Sequence, residues 1–395
     1  MTTDLARTGP SDLSLTALFL KFLRFGCLAF GGPVAQIAMI RHALVEEEHW
    51  IDPARFNRLL AVLQVLPGPE AHELCVHLGM VARGRIGGLL AGLGFMLPGL
   101  ALMLVAGWLY AGWIAGKADL SGVLLGVQVA VLAIILRAVI RIGEHIVEDR
   151  LLALVAAASL VATLAGVPFW IPLVAGGLAY AFAHRSLAAM LIVVAGIGVA
   201  VMIRPMAGPA VSGTTAMAVA PVTLAALFAA GLKGGLLTFG GAYTAIPYVR
   251  ADTVGRGWIG DGTFLDGIAL AGVLPAPLVI FATFVGYVAG GPGGALAITA
   301  GMFLPAFAFS LILFERLEAI VENPALHRLL AGVAAAVVGI IAATFVQLGQ
   351  ATGARVTEPL FALLLFAGAL VVAWRVRGAW VTPAIIAGGA IAGWA

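Results

Sequence analysis

Charge is what this sequence has least of. Only 10% of its 395 residues are Asp, Glu, Lys or Arg. A soluble domain carries about 25%. So few charges cannot cover a water-facing surface, which excludes a soluble enzyme or scaffold. The net charge of +3 is too small to suggest a nucleic-acid partner. Cysteine is almost absent. Cys27 and Cys75 each lie in an apolar run and read as core residues, so a disulfide framework is excluded. There is no Walker loop, no dinucleotide fingerprint and no defensible Ser/His/Asp spacing. Nucleotide-driven transport by this chain alone is disfavoured, and no cofactor is expected. Residues 1–14 hold Asp4, Arg7 and Asp12 and lack a cleavage pattern. They read as a cytoplasmic N-terminal segment, not a signal peptide.

What is abundant is apolar side chain and glycine. The chain is 62% hydrophobic with 51 Gly, and its mean hydropathy is +1.09. Lipid accepts apolar side chains but demands satisfied backbone groups. The expected fold is an all-α polytopic membrane protein, partnered by the bilayer, with small residues at its helix contacts.

Apolar runs of about 20 residues mark candidate spans. The run 15–40 is broken at Gly31-Gly32-Pro33, and 53–82 at Pro67-Gly68-Pro69. Runs at 87–113, 120–142, 151–166, 168–183 and 187–203 follow. Residues 204–219 are the polar stretch in the middle. A similar series fills 221–395, with a break at Pro275-Ala276-Pro277. The cluster Glu315, Arg316, Glu318 and Glu322 reads as a solvated face.

The two series are copies. Phe30-Gly31-Gly32 recurs as Phe239-Gly240-Gly241, where 239 − 30 = 209. Trp50-Ile51 recurs as Trp258-Ile259, Pro67-Gly68-Pro69 as Pro275-Ala276-Pro277, and Leu97-Pro98 as Leu304-Pro305, where 305 − 98 = 207. Such an ordered match defines repeats at 15–186 and 221–395, joined by a linking span and polar linker at 187–220. If each Pro-x-Pro segment crosses once, the chain has thirteen spans and the copies are inverted. If those segments are re-entrant hairpins, it has eleven and the copies are parallel. Thirteen spans with the N-terminus inside put twelve basic residues in the cytoplasm, Arg83, Arg85, Arg250 and Arg256 among them. Six lie outside, including Arg41, Arg55 and Lys117. This agrees with the positive-inside rule. Inversion is favoured, because paired broken helices in inverted repeats are a transporter plan.

The breaks carry the chemistry. Gly31, Gly32, Pro67 and Gly68, with Gly240, Gly241 and Pro275 in the second copy, free backbone N–H groups at membrane depth. Such groups are tolerated only against protein or a wet cavity. The positive ends of half-helices then form a ready anion site. Arg24 and Lys233 precede the breaks at matching places, and few acids lie within the spans to pair them. A cation inside a span is costly unless paired, so a bound anion is the expected partner. Lys21 reads as snorkelling. Glu70-Ala71-His72-Glu73 begins a half-helix. Its carboxylates suit N-terminal capping as well as proton handling, and both readings stay open. A metal site from His72, Glu73 and His77 lacks a second cluster and is not assigned.

These residues resemble the chromate ion transporter family in its long two-domain form. The resemblance runs from Phe22-Leu23-Arg24-Phe25-Gly26 and Phe30-Gly31-Gly32-Pro33 through Trp50-Ile51-Asp52, Leu66-Pro67-Gly68-Pro69 and Gly94-Phe95-Met96-Leu97-Pro98. It continues through Phe239-Gly240-Gly241-Ala242-Tyr243, Pro247, Trp258-Ile259 and Pro275-Ala276-Pro277. It implies a carrier of the bacterial inner membrane that expels chromate, confers chromate resistance, uses the proton-motive force and has oppositely oriented halves. A homodimer is compatible with this reading. One departure is Glu70-Ala71-His72-Glu73, where many members follow Pro-Gly-Pro with small or hydroxyl residues. Two carboxylates near an anion path would repel a dianion unless protonated or paired. Sulfate or another oxyanion is the alternative substrate. An intramembrane metal-dependent enzyme built on Glu70, His72, Glu73 and His77 is the alternative of another class.

Overall fold

A computed structural model describes residues 13–65, 67–115, 117, 120–183, 195, 196, 198, 221–239, 241–313, 324–376, 378 and 380–394. Residues 1–12, most of the linking stretch at 187–220, Gly240 and the acidic cluster at 315–322 lie outside the described residues. The first half comprises α1 (Leu15–Cys27), α2 (Gly32–Arg41), α3 (Pro53–Val65), α4 (Glu70–Leu109), α5 (Ser121–Ile146), α6 (Arg150–Leu164) and α7 (Trp170–Ala181). The second comprises α8 (Leu224–Leu236), α9 (Ile246–Thr253), α10 (Asp261–Val273), α11 (Phe281–Ala308), α12 (Pro324–Gly353), α13 (Pro359–Arg375) and α14 (Val381–Trp394). No strand occurs among the described residues.

The repeat extends to capping. The Ser14 hydroxyl accepts the Ala17 N–H at the start of α1, and the Thr223 hydroxyl accepts the Ala226 N–H at the start of α8, each at 3.1 Å. The positions differ by 223 − 14 = 209.

The short helices are halves of hairpins. α1 has 13 residues, about 20 Å of helix against a hydrocarbon core of about 30 Å. Between it and α2 lie the breaks at Gly31 and Gly32, with φ of 84° and 80°, a conformation that glycine adopts without penalty. The chain then turns back, because Glu48 pairs with Lys21 and the Trp50 ring lies 6.2 Å from that of Phe22. In the second half Asp252 of α9 returns to Lys233 of α8, 2.7 Å away. α3 and the first arm of α4 form a second hairpin with its tip at Pro67-Gly68-Pro69. α10 and the start of α11 form its copy, with the Phe264 and Phe281 rings 5.6 Å apart.

α4 then reverses at Arg83 (φ −140°, ψ 29°) and Gly84 (φ 64°, ψ −161°). α11 reverses at Gly290 (φ −142°, ψ 21°) and Gly291 (φ 66°, ψ −163°). Gly79 packs on Gly87 and Ala91, and Gly286 on Gly294 and Ile298, leaving no room for a Cβ between the arms. Beyond each turn the second arm runs long. Among the described residues four helical stretches are long and apolar enough to cross a membrane: Glu70–Ile114, Ser121–Ile146, Leu278–Ile312 and Leu326–Gly353.

Two apolar runs, 15–40 and 53–82, are half-length arms that fold back. This separates two properties tied together above, since the Pro-x-Pro segments are hairpins and yet the copies are inverted. Gly88 of α4 abuts Leu311 and Gly92 abuts Phe307 of α11, so these equivalent arms run antiparallel. α5 and α12 do the same. Gln128 meets Arg355 at 2.7 Å, while Gly143 lies beside Val338.

The halves interlock. α6 and α7 pack on α12 of the second half, and α13 and α14 pack on α5 of the first. Glycine makes these contacts close, with Gly126 against the Gly389 carbonyl and Gly339 against the Ala156 carbonyl.

One cap outside the membrane-spanning segments gives a simple test. Asp149 accepts the Leu151 and Leu152 N–H groups of α6 at 2.8 Å each and the Tyr180 hydroxyl of α7 at 2.8 Å. These donors, Leu152 first, hold its carboxyl below the usual carboxylate range. The stabilisation is present above the unfolded pKa and is lost as pH falls through the lowered one. Asp149→Ala is expected to cost about 1 kcal/mol in thermal unfolding at neutral pH. The gap to wild type should shrink below about pH 4.

Candidate functional site

Four hairpin tips converge, two from each half, and they pair across the halves. The Gly68 N–H donates to the Thr238 carbonyl at 2.8 Å. On the other side the Gln36 amide donates to the Ala29 carbonyl at 2.9 Å and the Ala276 carbonyl at 3.0 Å. Thr238 is the counterpart of Ala29, with 238 − 29 = 209, and Ala276 that of Gly68, with 276 − 68 = 208. One pair of positions is therefore joined twice, once directly and once through Gln36. Such bonds satisfy the backbone groups that a helix break would otherwise leave bare.

The tips rest on the long arms. Gly26 sits on the Phe95 carbonyl and Pro98, and its counterpart Gly235 sits on Met302 and Pro305. Gly99, just past Pro98, packs against Ala276. Around the glycine breaks there is space. Nothing lies within 4 Å of where a Cβ on Gly32 would be, and only Ile142 reaches 4.0 Å from that of Gly241. Gly240 lies outside the described residues.

The two cations differ. Arg24 is exposed on the face of α1 that also shows Leu20 and Leu28, and no described carboxylate pairs with it. Lys233, in contrast, has an acidic partner. Asp252 pairs with it at 2.7 Å, the Phe169 ring lies under its ammonium at 4.2 Å, and Asp252 is shared with Arg256 at 3.3 Å. The acid was overlooked because it returns on the hairpin arm, 19 residues on (252 − 233). Any anion at Lys233 competes with Asp252.

The Glu70-His72-Glu73 group splits. Glu70 is partly exposed. The His72 ring is buried edge-on against Phe303 and Phe307 of α11, centroids 4.9 and 4.7 Å away. Glu73 is fully buried, no described group hydrogen-bonds either of its oxygens, and its carboxyl lies against Gly68 with Cδ 2.7 Å from the position of an added Cβ. The capping reading fails for Glu73, whose oxygens bind no N–H. No three His, Cys, Asp or Glu side chains among the described residues are placed to hold a metal.

Three polar residues inside the spans were not singled out from sequence. Gln36 is buried, and its carbonyl oxygen has no described partner. Asp266 of α10 is buried between Tyr110 and Gln128. Arg137, inside the apolar run 120–142, lies within α5 and within electrostatic reach of Tyr243, next to the second glycine break. The signal available for each was a lone polar residue inside an apolar run.

The chromate transporter family profile matches residues 16–182 and 225–394, which start 225 − 16 = 209 residues apart. A chromate transport protein of Pseudomonas aeruginosa is 54% identical over 98% of this chain and 93% of that protein. One from Cupriavidus metallidurans is 31% identical over 98% of this chain and 94% of its own. A probable chromate transport protein of Synechococcus elongatus is 30% identical over 96% and 95%. No solved structure matches significantly. With two repeats matched in register and relatives aligned nearly end to end, this multi-pass membrane protein belongs to the chromate transporter family.

Proposed function

We propose that the chain is a secondary carrier that moves chromate outward across the bacterial cytoplasmic membrane, driven by the proton-motive force, and so confers chromate resistance. The observation that carries this reading is the junction of four broken tips between inverted halves. Two mirror-related hairpin pairs joined by a few main-chain bonds can open to one face or the other, as alternating access requires. Arg24, Lys233 and the backbone at Gly31, Gly32, Pro67, Gly68, Gly240, Gly241 and Pro275 bind the dianion. Glu73, with Glu70 and His72 beside it, couples protons.

Orientation follows from the hairpins. Arg41, Arg55, Arg83, Arg85, Arg141 and Arg150 belong to the face where α1 starts. Lys117, Arg250, Arg256 and Arg355 belong to the other. The richer face is taken as cytoplasmic, which puts the start of α1 with Arg41 and Arg55 inside and Arg250 and Arg256 outside.

The test is uptake of labelled chromate and labelled sulfate into inverted vesicles, with and without a pH gradient. Chromate accumulation that needs the gradient is expected. Equal uptake of both anions makes this a general oxyanion carrier, and uptake of neither refutes the reading. A charge-assisted bond contributes about 1.5–3 kcal/mol. Arg24→Ala and Lys233→Ala should each lower chromate transport about tenfold or more. Unchanged transport in both removes them from the site.

A further inference from the structure

The described residues line an open pocket of about 460 Å³ away from the tip junction. It opens at the end of α4 opposite the Arg83–Gly84 turn, between α4, the start of α5, the start of α10 and the residues after α12. Its polar lining includes Tyr110, Lys117, Gln128, Thr263, Asp266 and Arg355. This is the size range of small-ligand sites.

A chain of hydrogen bonds braces one wall. Asp266 is 4% exposed, yet both its oxygens are taken. The Tyr110 hydroxyl donates to Oδ2 at 2.8 Å and the Gln128 amide to Oδ1 at 2.9 Å. That bond fixes the Gln128 amide, and its Oε1 accepts from Arg355 Nη2 at 2.7 Å. Arg355 Nε is tied to the Ala351 carbonyl at 3.3 Å. Nη1, over Gly262, has no described acceptor. Lys117 lies over the Trp113 ring at 5.8 Å, and no described carboxylate pairs with it or with Arg355. The lining therefore holds two cations against one carboxylate that is already saturated. A guanidinium held on one edge presents its other N–H groups as a rigid fork, which suits tetrahedral oxyanions.

We infer that this cavity is a second oxyanion site, a vestibule in which the dianion is held by Arg355 and Lys117 on leaving the tip junction, with Asp266 and Gln128 as positioning residues. The inference rests on the transport reading for its place in the path but not for its chemistry. Steering by clustered cations raises local anion concentration. Here the same cations also keep the released anion at the mouth until it exchanges with bulk water.

The test is site-directed labelling of the purified full-length protein in detergent. Leu124→Cys, in a Cys27→Ser background, places a thiol in the lining, and Ile114→Cys is a second reporter. Sulfate is the probe, because chromate oxidises thiols. Millimolar sulfate, but not chloride at equal ionic strength, is expected to slow maleimide labelling several-fold, and Arg355→Gln is expected to abolish that protection. Equal rates in sulfate and chloride at both reporters overturn the inference, as does protection that survives Arg355→Gln. Vesicle transport by the same variants separates the two readings. Transport without protection removes the vestibule alone, and protection without transport keeps the site and removes the carrier.

Discussion

Leucine at Gly26 is expected to remove folded protein from the membrane, and leucine at Gly235 to do the same. Gly26 meets the Phe95 carbonyl at 2.5 Å, Pro98 Cγ at 3.0 Å and the Gly94 carbonyl at 3.1 Å from where its Cβ would lie. Gly94 in turn would meet the Phe19 carbonyl at 2.8 Å and the Leu23 nitrogen at 3.0 Å. α1 and the second arm of α4 therefore touch backbone to backbone, and a neighbouring side chain cannot relieve the clash. Overpacking a well-packed core costs about 1–3 kcal/mol, more where nothing can move aside, and leucine adds four heavy atoms against main chain. That is a large share of the stability of a typical protein, about 5–15 kcal/mol. Size-exclusion profiles of detergent extracts should lose their single peak. Gly349→Leu in α12, where no atom lies within 4 Å, should keep it. A normal peak for Gly26→Leu would mean that α1 does not lie on α4.

The same contact shows why the repeat was legible in sequence, while the Pro-x-Pro hairpins were one of two readings. Gly26, Pro98, Gly235 and Pro305 are constrained by backbone contact, so both copies keep them and their spacing survives as an offset of 207 to 209. Inversion also left a trace, in paired breaks and in where the basic residues fall. What run length cannot report is whether the chain continues through a mid-membrane break or turns back. That is decided by contacts between distant residues, Lys21 with Glu48 and Lys233 with Asp252. Reading 250–256 as a link between spans hid the acid beside Lys233. The breaks themselves were legible for a related reason. Gly31, Gly32, Gly68 and Pro275 announce a break by residue type. Gln36 and Asp266 are single polar residues whose role appears only when the other half is brought against them.

Glu73→Gln is expected to leave a folded carrier that no longer responds to a pH gradient. Glu73 is buried at the junction, against Gly68, whose N–H holds the Thr238 carbonyl of the other half at 2.8 Å. A buried carboxyl without partners costs free energy, and an ionised one costs far more. In the proposed mechanism its charge state follows whether the Gly68–Thr238 contact is closed or open to water, the coupling that proton-driven alternation needs. Glutamine keeps the size and the polarity and removes only the proton. Gradient-driven chromate accumulation should fall about tenfold or more, a barrier change of about 1.4 kcal/mol or more. Exchange of labelled for unlabelled chromate without a gradient should persist. Glu70→Gln, at a partly exposed position, should show a smaller loss. Undiminished gradient-driven accumulation by Glu73→Gln would place the coupling proton elsewhere. Loss of exchange together with accumulation would make Glu73 part of the binding site.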